Sequence, residues 1–241
     1  MTGKYGKHTA KGEIRFGVLP QTISLQIREP GSAITHFAGF ILVLIGSGPL
    51  ITRASLYGSS LTVISLLTFI LSAALLYAAS TAYHTIVADK KTTRIFKKID
   101  HMMIPILIAG SYTPFCLITL RENGGHIVFA AIWGMALLSI ILKAFWVTCP
   151  KWISSAVYLA MGWVCIFVIV PLAQHLPLAA FILLALGGIF YTVGAVIYAM
   201  KMKRFNEIHP YFGSHEIFHV FIMLGTLCHY LIMYGYMVYC S

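Results

Sequence analysis

Hydrophobic positions in this chain come in long unbroken blocks, and the polar ones are crowded into the short gaps between them. Read with a window of about 20 residues, the pattern resolves into seven apolar segments, near 33–51, 61–86, 100–120, 126–146, 152–171, 177–200 and 213–238. Each is long enough to cross roughly 30 Å of hydrocarbon as an α-helix. The blocks are continuous, not alternating, which predicts helices and not the strands of a barrel. In lipid, every backbone polar group must find its partner within its own segment. The breaks carry charges or helix breakers: Arg53, the basic 89–98 stretch, Arg121 to Gly125, Pro150, Pro177 and the polar 201–210 segment. The expected fold class is thus an all-α integral membrane protein, a seven-transmembrane-helix bundle over 33–241. A basic interfacial N-terminal arm, 1–32, lacks an apolar core of signal-peptide length.

Composition sharpens this. Of the 241 residues, 59% are hydrophobic and only 10% charged, and the mean hydropathy of +0.85 excludes an ordinary soluble domain. The five cysteines stand without any Cys-x-x-Cys pair, so neither a disulfide framework nor a thiolate metal site is indicated. The formal charge of +10 points to no nucleic acid once its distribution is read. Seven spans put 15 of the 17 lysines and arginines on one side, leaving Arg53 and Arg121 opposite. By the positive-inside rule the N-terminus is then cytosolic and the C-terminus outside, in a plasma or inner membrane. The basic loops suit anionic inner-leaflet lipids as partners, and nothing in the pattern sets an oligomeric state.

On this frame the intramembrane polar residues gather at one depth. Ser80 and His84 lie one turn apart near the cytosolic end of the second span, Asp100 opens the third, and His215 and His219 share a stripe in the first two turns of the seventh. Ionisable side chains within spans are expensive and face the bundle interior or mark a site. A separation of four on a helix lets one cation take two imidazole nitrogens, and with His84 a three-nitrogen zinc site results. It leaves the fourth tetrahedral position open, the catalytic arrangement. Asp100 then serves as the proton-accepting carboxylate and Ser80 as the orienting hydroxyl. The structural alternative for Asp100 is an ion pair with a loop lysine such as Lys98. The alternative for any single histidine is an interhelical hydrogen bond, which is where His229 falls, roughly 15 Å beyond His219. His36 has the right depth but no partner motif. His101 points about 100° away from Asp100 and reads as structural, and Glu216 reads as a helix-start acid. His8, His126, His175 and His209 read as solvated. Gly134, Gly187, Gly188 and Gly194 read as sites of close helix approach.

Three motifs in order, Ser80-x-x-x-His84, the Asp100 to Pro114 stretch and His215-x-x-x-His219 followed by His229, resemble the hemolysin III family, the bacterial branch of the progestin and adipoQ receptor superfamily. Thr35-His36 with Gly39 resembles it too, and Ser111 is a small departure where Thr is expected. The resemblance implies a seven-helix bundle binding zinc through His84, His215 and His219, with Asp100 and Ser80 nearby. It further implies kinship with hydrolases of ceramide-like lipid amides and links to membrane lipid composition. The expected function is a metal-dependent hydrolase of acyl-lipid amides or esters, with membrane lipids as substrate. Two alternatives stay open: a non-enzymatic zinc-stabilised membrane sensor or regulator, and a cytolytic membrane protein. The last is weakened because no polar stripe runs along several helices as a pore would need.

Overall fold

A computed structural model describes residues 26–239; most of the predicted arm 1–32 lies outside the described residues. Nearly all of the described chain is helical. The elements are α1 (Pro30–Tyr57), α2 (Ser60–Thr85), α3 (Lys90–Pro114), α4 (Gly125–Phe145), α5 (Lys151–Gly162), α6 (Ile169–His175), α7 (Leu178–Met200), α8 (Lys203–Ile208) and α9 (Ser214–Gly235). Seven spans result, because α3 runs on through a π-turn at Phe115–Thr119, and α5 joins α6 through a 3₁₀ stretch at Trp163–Val168.

The helix ends follow from local chemistry. Proline opens α1 at its first position, where its missing N–H is an orphan in any case. Ser59 and Thr62 cap α2 reciprocally, the Ser59 hydroxyl accepting from the Thr62 N–H at 3.2 Å. Asp89 caps α3 by accepting from the N–H groups of Lys91 and Thr92 at 2.7 and 2.8 Å. At α9 the Glu216 carboxylate accepts from the Gly213 N–H at 2.8 Å, in keeping with a helix-start acid.

Two departures from the expected elements have physical causes. The basic 89–98 stretch is not a loop: with Asp89 as cap it forms the first turns of α3, an amphipathic entry that places Asp100 ten residues into the helix. The fifth span is not one α-helix, because the Tyr112 hydroxyl of α3 enters its ladder. It donates to the Gly162 carbonyl at 2.6 Å and accepts from the Cys165 N–H at 2.9 Å, and an inserted polar group of this kind tightens the local turn.

Around the bundle, α1 packs on α2 and α9, α2 on α3, α3 on α4 and α5, and α7 on both α5 and α9. The end bearing Arg53 is closed by an apolar cluster including Leu50, Leu66, Phe69, Leu120, Ile232 and Met233. Halfway along, Ala73, Leu76, Tyr77 and Leu107 join α2 to α3. Close approach depends on two of the four glycines expected, Gly187 and Gly194, and on two others. A Cβ on Gly110 would run into Ser72, which brings α3 onto α2, and one on Gly225 would meet the Tyr191 ring of α7 at 2.7 Å. Gly187 and Gly194 face neighbours, His229 and Phe221, whereas Gly134 and Gly188 have nothing within 4 Å of an added Cβ, and Gly188 lines a cavity.

Candidate metal centre

At the end opposite the Arg53 cluster, the last turn of α2 and the first turns of α9 converge. His84 and His219 are each 1% exposed, and His215 is partly covered. One ligand nitrogen from each of His84, His215 and His219 lies within 4.8 Å of the other two. The Nε2 atoms of His84 and His215 are 3.3 Å apart. Two imidazole nitrogens on a tetrahedral zinc at about 2.0–2.1 Å would sit about 3.4 Å from one another, so this spacing fits a shared cation.

The outer nitrogens support the same fit. His84 Nδ1 lies 2.5 Å from the Glu29 carboxylate, and His219 Nδ1 lies 3.0 Å from the Thr35 hydroxyl. Thr35 can donate to the Gly31 or Ser32 carbonyl, each at 3.0 Å, so toward His219 its oxygen accepts. Both rings are thereby assigned as Nδ1–H tautomers that present a bare Nε2 to the centre, the arrangement by which an outer partner orients a metal-ligating histidine. Neither Glu29 nor the role of Thr35 was singled out from the pattern. Glu29 precedes the first span by one residue and comes to α2 through backbone pairing: its N–H bonds to the His84 carbonyl at 2.9 Å, and the Arg28 N–H to the Thr85 carbonyl at 3.3 Å. The Arg28 guanidinium sits 3.8 Å above the Tyr83 ring, which fixes the segment further. Burial works to raise the Glu29 carboxyl. The hydrogen bond from His84 Nδ1–H and the Arg28 charge act against it, and the group is held below its usual range.

His36 resolves into a packing role. Its ring stacks on His219 with centroids 3.5 Å apart and planes 12° from parallel, and it meets the Tyr77 edge at 5.1 Å. It is 3% exposed and does not join the three converging nitrogens.

Asp100, 8% exposed, pairs not with Lys98 but with its neighbour: His101 Nδ1 is 3.3 Å from Asp100 Oδ2. His101 is therefore not a remote structural group. It shares with Asp100, Ser80, His215, His219 and His36 the wall of an internal cavity of about 450 Å³. From this polar end the cavity runs between α3, α5, α7 and α9, past Leu107 and Phe115, to His229 and Leu172. On α9 alone, His215 and His229 are about 21 Å apart at 1.5 Å per residue. His229 meets Phe115 and Tyr191 edge-on at the deep end and stands outside the metal group. His126, His175 and His209 are exposed; His8 lies outside the described residues.

A polar cluster of three imidazoles, a carboxylate and a serine in a bundle of this topology narrows the relatives, and comparison with known proteins decides. The sequence profile described as Haemolysin-III related matches residues 25–230. This chain belongs to the haemolysin-III family. It is 39% identical over 210 residues to the Hemolysin-3 homolog of Bacillus subtilis (strain 168), covering 87% of this chain and 94% of that protein. It is 39% identical over 198 residues to Hemolysin-3 of Bacillus cereus, covering 82% and 86%. More distantly, it is 26% identical over 219 residues to Progestin and adipoQ receptor-like protein 1 of Caenorhabditis elegans, of which it spans 50%. Family and spans together make this haemolysin-III protein a multi-pass membrane protein, consistent with a bacterial plasma membrane.

Proposed function

We propose that this haemolysin-III protein is a metal-dependent hydrolase of acyl-lipid amides or esters, with zinc held by His84, His215 and His219. The observation that carries the reading is that His215 and His219, with Asp100 and Ser80, line the polar end of one long apolar cavity, and that His84 converges on the same two imidazoles. A structural ion tying α2 to α9 would not need a carboxylate and a hydroxyl beside a channel of about 450 Å³. When bound, zinc would supply Lewis acidity to a carbonyl and to water.

The chain's own residues would do the rest. The cavity takes the acyl chain and leaves the scissile carbonyl at the polar end. Asp100 accepts a proton from the attacking water on a carboxylate oxygen and returns it to the departing nitrogen or oxygen. Ser80, 1% exposed and four residues before His84, orients water or carboxylate through Oγ. Glu29 and Thr35 keep Nε2 of His84 and His219 pointed inward. The polar cluster lies at the basic end of the bundle, so with the N-terminus in the cytosol the reaction takes place at the depth of the inner leaflet. Turnover of lipid amides and esters by purified protein tests this, comparing wild type with His219→Ala and Asp100→Ala. Loss in both variants supports it, and equal turnover in all three, or none in any, removes it.

A further inference from the structure

A second cluster of reactive side chains lies where α4 meets α5, apart from the imidazoles. Lys143, in the last turn of α4, is 1% exposed. Its Nζ donates to the Cys149 sulfur at 3.0 Å and to the Ser154 hydroxyl, and Cys149 Sγ and Ser154 Oγ are 3.2 Å apart. Cys149 belongs to the loop between the helices and Ser154 to the first turn of α5. A buried ammonium requires a counter-charge. Among the described residues no carboxylate reaches Lys143, and Cys149 is the bonded group able to supply a negative charge.

We infer that Lys143 and Cys149 form an oxidation site, at which hydrogen peroxide converts the thiolate to a sulfenic acid that the lysine amine then captures as a sulfenamide bridge. Burial by itself would raise the Cys149 thiol, but its contacts with Lys143 and Ser154 and the charges of Lys143 and Lys97 bring it below its ordinary value. The neighbouring loop residues Val147 and Thr148 line a cleft of about 360 Å³ with Lys90, Arg94 and Lys97, which ends one residue short of Cys149 in the chain.

The chemistry closes on these two side chains and peroxide alone. Cys149 sulfur attacks one peroxide oxygen; the S–O bond forms, the O–O bond breaks, and the departing hydroxide takes a proton from the Lys143 ammonium to leave as water. Sulfur is oxidised by two electrons and the peroxide is reduced by two. The free amine, already 3.0 Å away, attacks the sulfenyl sulfur; the S–N bond forms, the S–O bond breaks, and hydroxide leaves with the amine proton as a second water. The product joins the end of α4 covalently to the loop before α5, and a thiol reductant restores both groups. This inference is independent of the proposed hydrolase.

The experiment treats the full-length protein in detergent with hydrogen peroxide and maps its tryptic peptides by mass spectrometry. The expected product is a peptide uncleaved after Lys143, containing Cys149, lighter by about 2 Da than the reduced sequence and reverting with dithiothreitol. Cys149 is expected to react about tenfold faster than Cys165, as a thiolate should. Cys149→Ser abolishes the product. Lys143→Arg, which keeps the cation but offers no amine to condense, gives a dimedone-trappable sulfenic acid and no bridge. The inference is overturned if Cys149 reacts no faster than Cys165, or if it oxidises while trypsin still cleaves after Lys143. It is equally overturned if Lys143→Arg retains the loss of mass.

Discussion

The helices that hold the polar cluster and those that face outward differ in how much of them is buried. About half of the apolar stretch of α2 (50%), of α3 with its π-turn (56%) and of α9 with its 3₁₀ end (44%) is buried, against 22% for α4 and 17% for the α5 to α6 span. Mean hydropathy distinguishes them only in part: α3 and α9, at 1.6 and 1.7, fall below α4 and the α5 to α6 span at 2.2 and 2.3, but α2 at 2.2 does not. What distinguishes them is where an ionisable side chain is tolerated. An aspartate or basic residue near the middle of a span costs about 2.5–3.5 kcal/mol, and only the inward helices can offset that with partners. The outward helices satisfy lipid and carry little information about chemistry, apart from Lys143 at one end of α4.

The sharpest way to break this contrast is at the imidazoles. His219→Ala is expected to reduce bound metal from about one equivalent to near none by elemental analysis. Asp100→Asn is expected to retain the metal and lower lipid-amide turnover by about 10²–10⁴-fold. If Asp100→Asn leaves turnover unchanged, the inward helices hold a structural ion only. One shell out, Glu29→Gln removes the carboxylate behind His84 and is expected to weaken metal affinity by about 10–100-fold in competition with a chromophoric chelator.

Packing gives the next test. Gly110→Leu inserts a side chain into the α2–α3 contact, with an expected loss of about 1–3 kcal/mol in a detergent melt. Gly134→Leu, where nothing lies within 4 Å, is expected to stay within about 0.5 kcal/mol of wild type. The same small limit is expected for Leu138→Ala and Val170→Ala, 68% and 62% exposed on the outward helices.

The smallest effect belongs to the rim. The Thr92 N–H and hydroxyl, with the Lys91 N–H, hold the exposed Asp89 carboxyl below its usual range. A depressed folded value means that its contribution is fully present above the ordinary carboxylate pKa and is lost as pH falls through the depressed one. Asp89→Ala should therefore lower the melting temperature slightly at pH 7 and leave the difference near zero at pH 2.

The seven spans were legible because bilayer thickness sets their length and backbone satisfaction sets their conformation, leaving tertiary detail little to decide. The meeting of His84, His215 and His219 was legible for a related reason: span direction fixes depth, and a separation of four fixes a face. Rotation around each helix was not. Adjacent positions on a helix point about 100° apart, yet His101 still reaches Asp100 through its side chain. Likewise His36 found His219 because α1 sits beside α9, which no local pattern encodes. Glu29 was hidden because it precedes the span and arrives through backbone hydrogen bonds to α2. Gly110 was hidden because its approach to Ser72 is a matter of helix rotation.

The tie between Glu29 and His84 also bears on biogenesis. Glu29 stands just ahead of the first of the seven spans, and His215 and His219 open the seventh. A growing chain thus holds one part of the centre from the first of these spans and waits for the rest until the seventh. Any chain released between them would lack two of the three nitrogens, so capture of a metal would report that all seven had been made.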